Sequence, residues 1–361
     1  MGDSGRLAPV DARPLLLSDL EYELPAELIA QRPAADRDGS RLLVLDRADD
    51  SFSDGDFVDL PSLVNSDDLV VVNDTRVVPA KLSARRATGG KVSGLFVRVI
   101  EGRLWEVLLT QTSRLKTGER LNLLPAEYGD ALVLTAHDGG GRWRAELQSD
   151  VSTDAVLERV GRTPLPPYIR RGAHNDNDEI DRASYQTVFA ARPGAVAAPT
   201  AALHFTPRVL AAMEQRGVER ATVTLHVGPG TFAPVAETCL DDHAMHGEWF
   251  DMPAATADAI RSCRARSGRV LAIGTTTARV LETCAAEGDT RASSGWTGLF
   301  IKPPYAFRCV DALLTNFHLP RSTLLALVMA FAGRALTRRA YAHAVASRYR
   351  FYSYGDAMLI V

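Results

Sequence analysis

The sequence predicts an α/β protein interrupted by a small β-rich unit, and three observations carry that reading. Beyond residue 183, apolar strands alternate with helical patterns, as in parallel sheets covered by helices. The middle of the chain holds short strands separated by the glycine breaks Gly89-Gly90 and Gly139-Gly140-Gly141. The run LVVVN at 69–73 precedes that middle region, yet its unbroken apolar character suits a buried parallel strand of the later α/β portion. The 361 residues fit roughly two domains at about 150 each. The expected division is a discontinuous α/β domain at 1–78 and 163–361 and an insert at 79–162, turning near Pro79 and the PLPP run at 164–167.

In chain order, strands are expected at 69–73 and then, in the insert, at 95–100, 104–109, 131–135 and 143–147. After the insert come a strand at 222–228, a strand at 269–274 followed by a helix at 277–286, and a strand at 312–316 followed by a helix at 322–333. That last helix contains LLALVMAFAG, ten residues at 324–333, about half of the roughly 20 that cross a bilayer, so it reads as core. The N-terminal segment lacks a basic start followed by an apolar core, and Arg6 occupies the Ser/Thr position of a myristoylation signal. A cytoplasmic protein without membrane attachment is expected.

Charge excludes bulk attraction to nucleic acid, because 41 Lys and Arg face 44 Asp and Glu, a net −3. Local surfaces remain. Residues 46–74 carry nine Asp against one Arg, whereas 76–98 carry six basic residues and 334–355 five arginines, both without an acid. Either run also suits a solvated face. In the second, Tyr341, Tyr349, Phe351, Tyr352 and Tyr354 accompany Arg348 and Arg350, a mixture suited to phosphates and unpaired bases or, equally, to a half-buried strand. The four cysteines are scattered without a C-x-x-C pair, which fits a reducing compartment and neither a zinc ribbon nor a disulfide framework.

Several strand ends carry chemistry. Gly274-Thr275-Thr276-Thr277 ends a strand and opens a helix, placing hydroxyls and free N–H groups where open α/β sheets bind ligands, or else serving as a plain helix cap. His226-Val-Gly-Pro-Gly, His204 and Asn316-Phe-His318 set imidazoles at similar positions, and each is also a candidate structural histidine. Asp74-Thr-Arg76 offers a carboxylate and a guanidinium at a turn, or a structural pair. His243-x-x-His246-x-Glu248 is a weak metal pattern without a clear third ligand, and no G-x-S-x-G elbow or Walker A loop is present.

The segments NDTRVVPAKL (73–82), LPPYIRR (165–171), PGAVAAPTAALHFT (193–206), LHVGPGTFAPV (225–235), IGTTTARVLE (273–282), LLTNFHLPRSTLL (313–325) and YRFYSYGDAMLI (349–360) closely resemble the S-adenosylmethionine:tRNA ribosyltransferase-isomerase family of queuosine biosynthesis. The resemblance runs from LEYELPAELIAQRP (20–33) to the C-terminus. Departures include Ala202 for a usual Gly, Ser93 at an often acidic position, and Lys302-Pro-Pro-Tyr for Tyr-Pro-Gly-Tyr.

The resemblance implies a barrel-like α/β domain with a β-barrel insert. It implies transfer and isomerisation of the ribosyl group of S-adenosylmethionine, a consumed co-substrate, onto 7-aminomethyl-7-deazaguanine at the tRNA wobble position, releasing adenine and methionine. No metal or resident cofactor is expected, and a monomer is. The chemistry needs a base beside the sulfonium, for which His204 and then His318 are the candidates, and a proton donor toward adenine, for which Asp356 or a charged His226 is. Thr275 and Thr276 would receive the methionine end, Asn316 and Asp74 the ribose hydroxyls, and Arg76 an anionic group. Lys81, Arg85, Arg86, Lys91, Arg348 and Arg350 would meet tRNA phosphates, with neighbouring aromatics cradling the extruded base. Ribosyl transfer to a small-molecule acceptor and a non-catalytic RNA-binding module are the alternatives.

Overall fold

The computed structural model describes residues 15–110, 114–171, 178–232, 237–286 and 288–361. The N-terminal segment read above for targeting signals falls mostly outside them. In chain order the strands begin with β1 (Arg41–Asp46), β2 (Ser51–Asp56), β3 (Leu69–Asn73), β4 (Thr75–Val77), β5 (Lys81–Arg86), β6 (Lys91–Glu101) and β7 (Leu104–Leu109). They continue with β8 (Arg120–Leu123), β9 (Ala131–Gly139), β10 (Arg142–Gln148), β11 (Arg192–Ala195), β12 (Glu219–Leu225), β13 (Glu248–Met252), β14 (Val270–Ile273), β15 (Ser293–Thr297), β16 (Ala312–Asn316) and β17 (Ala357–Ile360). The helices are α1 (Leu60–Leu63), α2 (Thr153–Val160), α3 (Asp178–Ser184), α4 (Pro207–Gln215), α5 (Ala254–Ala265), α6 (Thr275–Cys284), α7 (Thr323–Ala332) and α8 (Arg334–Ala346).

Nine strands form one mixed sheet in the order β15-β13-β12-β3-β14-β16-β17-β1-β2. Strand β3 lies at its heart, parallel to both β12 and β14, with Val71 opposite Ala221 on one side and Ala272 on the other. Its alternation divides two cores: Leu69 and Val71 enter one hydrophobic cluster, Val70 and Val72 the other. Strand β14 does the same with Val270 and Ala272 against Leu271 and Ile273. A strand buried on both faces is apolar wherever no hydrogen-bond partner waits, as one does for Asn73, which is why the LVVV run was legible.

The insert is a closed antiparallel barrel, β10-β7-β6-β5-β8-β9, so it leaves no unpaired edge. Its interior is filled by alternate residues, among them Leu82, Phe96, Trp105, Val107, Leu121, Leu134 and Trp143. At Gly94 the β6 and β7 backbones approach so closely that a Cβ would sit 2.8 Å from the Leu108 carbonyl oxygen. The chain leaves the sheet along β4 and returns along β11, and these two short strands pair in parallel. The Val78 N–H donates to the Ala195 carbonyl at 2.9 Å, tying the outgoing and returning legs together. No helix among the described residues is long and apolar enough to cross a membrane.

Candidate functional site

Strands β14 and β16 end side by side, and the residues that follow them wall a cavity of about 150 Å³. Thr200, Thr275, Thr276, Thr315, Asn316, His318, Ser322 and Ser353 supply its polar groups, and Tyr168, Phe317 and Tyr352 its rings. No acidic, Lys or Arg side chain among the described residues lines it. Gly274, at φ +90°, makes the turn from β14 into α6, a backbone angle that side-chain-bearing residues rarely adopt. The turn sets Thr275 and Thr276, the first residues of α6, in the cavity wall. Thr277 is excluded from that role because its hydroxyl donates back to the Ile273 carbonyl at 2.7 Å.

His318 lies in the cavity wall, with Nε2 2.7 Å from the Thr315 hydroxyl. Its backbone is fixed from both sides: its N–H donates to the Tyr341 phenol oxygen at 3.0 Å, and its carbonyl accepts the Tyr22 hydroxyl at 2.5 Å. Burial pushes the imidazole down to about 3, so it is neutral at physiological pH. His204 stands one layer behind, outside the cavity lining, where its Nε2 meets the Asn316 amide at 3.2 Å and its Nδ1 the Ser40 hydroxyl at 3.0 Å. Burial holds it at about 4. By position, His318 touches the cavity and His204 touches Asn316.

Both buried histidines carry a stability consequence. In the unfolded chain each takes a proton near pH 6.5, whereas the folded protein resists protonation down to about 4 and about 3. The unfolded state thus binds more protons below pH 6.5, and stability present above that pH is lost as pH falls. Each histidine removes about 2 kcal/mol by pH 5. Urea unfolding midpoints measured from pH 7 to pH 5 should fall, and His204→Gln should flatten that decline.

A second, larger hollow of about 770 Å³ lies between the barrel and the sheet domain. Val227 and Leu324 line both hollows, so the cavity and the cleft adjoin there. Phe96, Arg98, Glu106 and Arg142 come from the barrel; His226, His243, His246, Trp249 and Trp296 come from the other side. Trp296 is 57% exposed, with the Arg98 guanidinium 5.2 Å from its ring centroid. Arg98 and Arg142 share Glu106, at 2.8 Å and 2.6 Å, and Arg279 pairs with Glu248. Most of the cleft's formal charge is thereby neutralised.

The other candidate residues sit in more varied surroundings. The Asp356 carboxylate accepts the backbone N–H groups of Arg41 (3.1 Å) and Arg350 (2.8 Å) and the Arg41 guanidinium, and it lines neither hollow. It is buried at a junction with Arg41 and Arg350, away from both hollows. His226 lines the cleft, with Nδ1 2.7 Å from the Thr75 hydroxyl and its ring stacked on Trp249, and burial lowers its pKa, which disfavours the charged form an acid requires. Asp74 accepts the Thr224 hydroxyl at 2.6 Å and lines neither hollow. Arg76 faces a separate small hollow beside Gln186.

The basic run divides. Lys81, Arg85 and Lys91 are exposed, alternating with the inward residues of β5 and β6, whereas Arg86 is committed to Glu119 at 2.5 Å. Arg348 is exposed and Arg350 is half-buried, donating to the Arg32 carbonyl. The aromatic residues beside them are core: Tyr341, Tyr349 and Phe351 pack around Phe317, and only Tyr352 reaches the cavity wall. Trp296 is the exposed ring that sequence reasoning missed; its signal was a tryptophan set among small residues in SSGWTG. Asn73 was missed too, although it bonds Leu225 through both ends of its amide at 3.0 and 3.1 Å and donates to Thr276 at 3.3 Å. Of the departures noted in the sequence, Ala202 is packed in the core, Lys302 pairs with Asp241 and Ser93 is exposed on the barrel, none of them lining either hollow.

His243 and Glu248 are taken by Glu237 and Arg279, and no three His, Cys, Asp or Glu side chains among the described residues form a metal-holding group.

A family profile described as queuosine biosynthesis protein matches residues 17–360. The chain belongs to that family. It is 47% identical over 355 residues to the S-adenosylmethionine:tRNA ribosyltransferase-isomerase of Gloeobacter violaceus, covering 98% of each chain. It is 48% identical over 348 residues to the enzyme of the same name from Anaeromyxobacter, covering 95% of this chain and 98% of the other. The crystal structure of S-adenosylmethionine tRNA ribosyltransferase from Thermotoga maritima is similar with a TM-score of 0.54 and 34% identity, covering 95% of this chain and 100% of that one. A queuosine-family fold thus carries the α/β sheet, the inserted barrel and the two adjoining hollows described above.

Proposed function

We propose that this S-adenosylmethionine:tRNA ribosyltransferase-isomerase seats its sulfonium substrate in the uncharged cavity and admits 7-aminomethyl-7-deazaguanine of the tRNA wobble position through the adjoining cleft. The observation that carries the reading is the meeting of a cavity of about 150 Å³ with a cleft of about 770 Å³ at Val227 and Leu324. The cavity holds part of the donor, whose remainder extends past Val227 and Leu324 into the cleft, and the cleft gives a base on a polynucleotide the open approach it needs.

The wall suits the donor. With no fixed charge around it, the sulfonium keeps its full pull on the neighbouring carbon, whose proton neutral His318 is placed to take. Tyr168 and Tyr352 pack on one another in the wall, ring centroids 4.1 Å apart, and the first turn of α6 offers N–H groups to the methionine carboxylate. Proton loss to His318 starts the rearrangement in which the sugar passes to the base's amine and adenine and methionine depart. S-adenosylmethionine is consumed, and no further cofactor enters this scheme.

Exposed Lys81, Arg85, Lys91 and Arg348 supply the phosphate contacts. Four such contacts give a slope of about −3 for log affinity against log salt, and Arg85→Ala with Lys91→Ala lowers its magnitude by about 1.5. Filter binding of tRNA between low and moderate salt checks this. The function itself is tested by adenine release from S-adenosylmethionine, expected only with tRNA carrying the aminomethyl-deazaguanine. Equal release with a free small-molecule acceptor would contradict it.

A further inference from the structure

The orientation of one amide fixes the polarity of the cavity wall. Asn316 Nδ2 lies 3.3 Å from the Tyr352 carbonyl oxygen, which can only accept, so the NH₂ end of the amide faces that way. Its second proton then points to His204 Nε2 at 3.2 Å, which must accept it. A neutral imidazole accepting at Nε2 carries its proton on Nδ1, and that proton goes to Ser40 Oγ at 3.0 Å. At its other end Asn316 Oδ1 receives the Thr200 hydroxyl proton at 2.8 Å. Thr200 lines the cavity, and with its proton spent on Asn316 its oxygen has only lone pairs to present there.

We propose that Ser40, His204 and Asn316 form a positioning relay that makes Thr200 Oγ1 an obligatory hydrogen-bond acceptor, selecting a donor group, a sugar hydroxyl or an amine, on the bound ribosyl substrate. The inference rests on the cavity being the S-adenosylmethionine seat. Two features of the relay favour positioning over catalysis for His204. It is buried, packed at a tilt against Phe57 at 5.0 Å between ring centroids, and it reaches the cavity through Asn316. Tyr352, whose carbonyl anchors the amide, is held at φ +75°, a backbone angle uncommon for a residue other than glycine. The strained residue and the buried imidazole grip the same amide from two directions.

The test combines Thr200→Val and Thr200→Ser with three analogues of S-adenosylmethionine, lacking a ribose hydroxyl, the α-amine or the adenine 6-amine. Calorimetry should find S-adenosylmethionine bound about 5- to 10-fold more weakly by Thr200→Val, and near wild-type affinity for Thr200→Ser. The analogue that lost the partner group should bind wild type and Thr200→Val alike, which identifies the group. His204→Gln, whose side-chain oxygen can take the Asn316 proton, should keep turnover within about fivefold with an unshifted acid limb, whereas His204→Leu should raise KM for S-adenosylmethionine. Unchanged binding by Thr200→Val would overturn the relay while leaving the seat intact. Loss of turnover by His204→Gln with S-adenosylmethionine still bound would overturn the positioning role in favour of a base. A wild-type protein that fails to bind S-adenosylmethionine at all would instead refute the seat.

Discussion

His318→Ala should lower the single-turnover rate of sugar transfer by about 10²- to 10⁴-fold while changing S-adenosylmethionine affinity little, as expected for loss of a proton acceptor that acts in the transition state. The expectation follows from placement. His318 closes the end of β16, lines the cavity and is clamped through its own backbone by Tyr22 and Tyr341, so the imidazole is held without needing the ligand. Burial to about 3 makes it a weaker base than an exposed histidine but keeps it free of a proton. Activity should therefore persist below the ordinary histidine range, and the acid limb of kcat/KM should lie beneath pH 6. An acid limb near 6.5 that vanishes in His318→Ala would oppose this account. Rapid-quench measurement of adenine release, with circular dichroism to establish folding, separates the chemical defect from a structural one.

Glu248→Ala should destabilise the protein by about 3–5 kcal/mol, the usual consequence of leaving one partner of a buried ion pair alone. Arg279 and Glu248 have side chains only 5% exposed each, and Glu248 also accepts the Gly228 N–H at 2.8 Å. Arg279 belongs to α6, whose first turn walls the cavity, and it further donates to the Leu299 carbonyl at 3.1 Å. The pair thus joins that helix to β13 and to the glycine turn after β12. Loosening it should weaken S-adenosylmethionine binding along with stability. Urea denaturation gives the first effect and calorimetry the second. Glu248→Met with Arg279→Met should recover much of the lost stability, because removing both charges leaves neither stranded.

The parts of the fold that were legible in the sequence are those where burial is extreme. Strand β3 and strand β16 coincide with the expected 69–73 and 312–316, since all their residues are buried and each apolar run closes on a buried Asn, Asn73 or Asn316. Strand β12 begins three residues before the expected 222–228 and ends at Leu225. Beyond it the His226 N–H donates to the Trp249 carbonyl and Val227 accepts from Val196, long-range bonds that no local pattern announces. Strand β2 escaped notice because SFSDGD is polar and exposed on the sheet edge. Helix α6 starts two residues earlier than the periodicity suggested because Thr275 and Thr276 are helical despite facing the cavity.

The site was legible at its strand ends and illegible in its depth. Thr275, Thr276, Asn316 and His318 follow apolar strands and do wall the cavity. Whether an imidazole faces the ligand or stands behind it depends on contacts far apart in the chain: His204 meets Ser40 across 164 residues and Asn316 across 112. The alternating aromatics of 349–354 had two readings, and packing against Phe317 decided for the core. Asp356 followed the same logic, its carboxylate satisfied by the backbone N–H groups of Arg41 and Arg350, residues far away in the chain and close to it.

The most direct test of the account follows ribose-labelled S-adenosylmethionine in the presence of tRNA bearing 7-aminomethyl-7-deazaguanine. The account predicts one label in tRNA for each adenine released, in wild type, with both lost together in His318→Ala. Label that stays out of tRNA while adenine is released, from folded protein and competent tRNA, would contradict the assignment of the cleft to a polynucleotide acceptor.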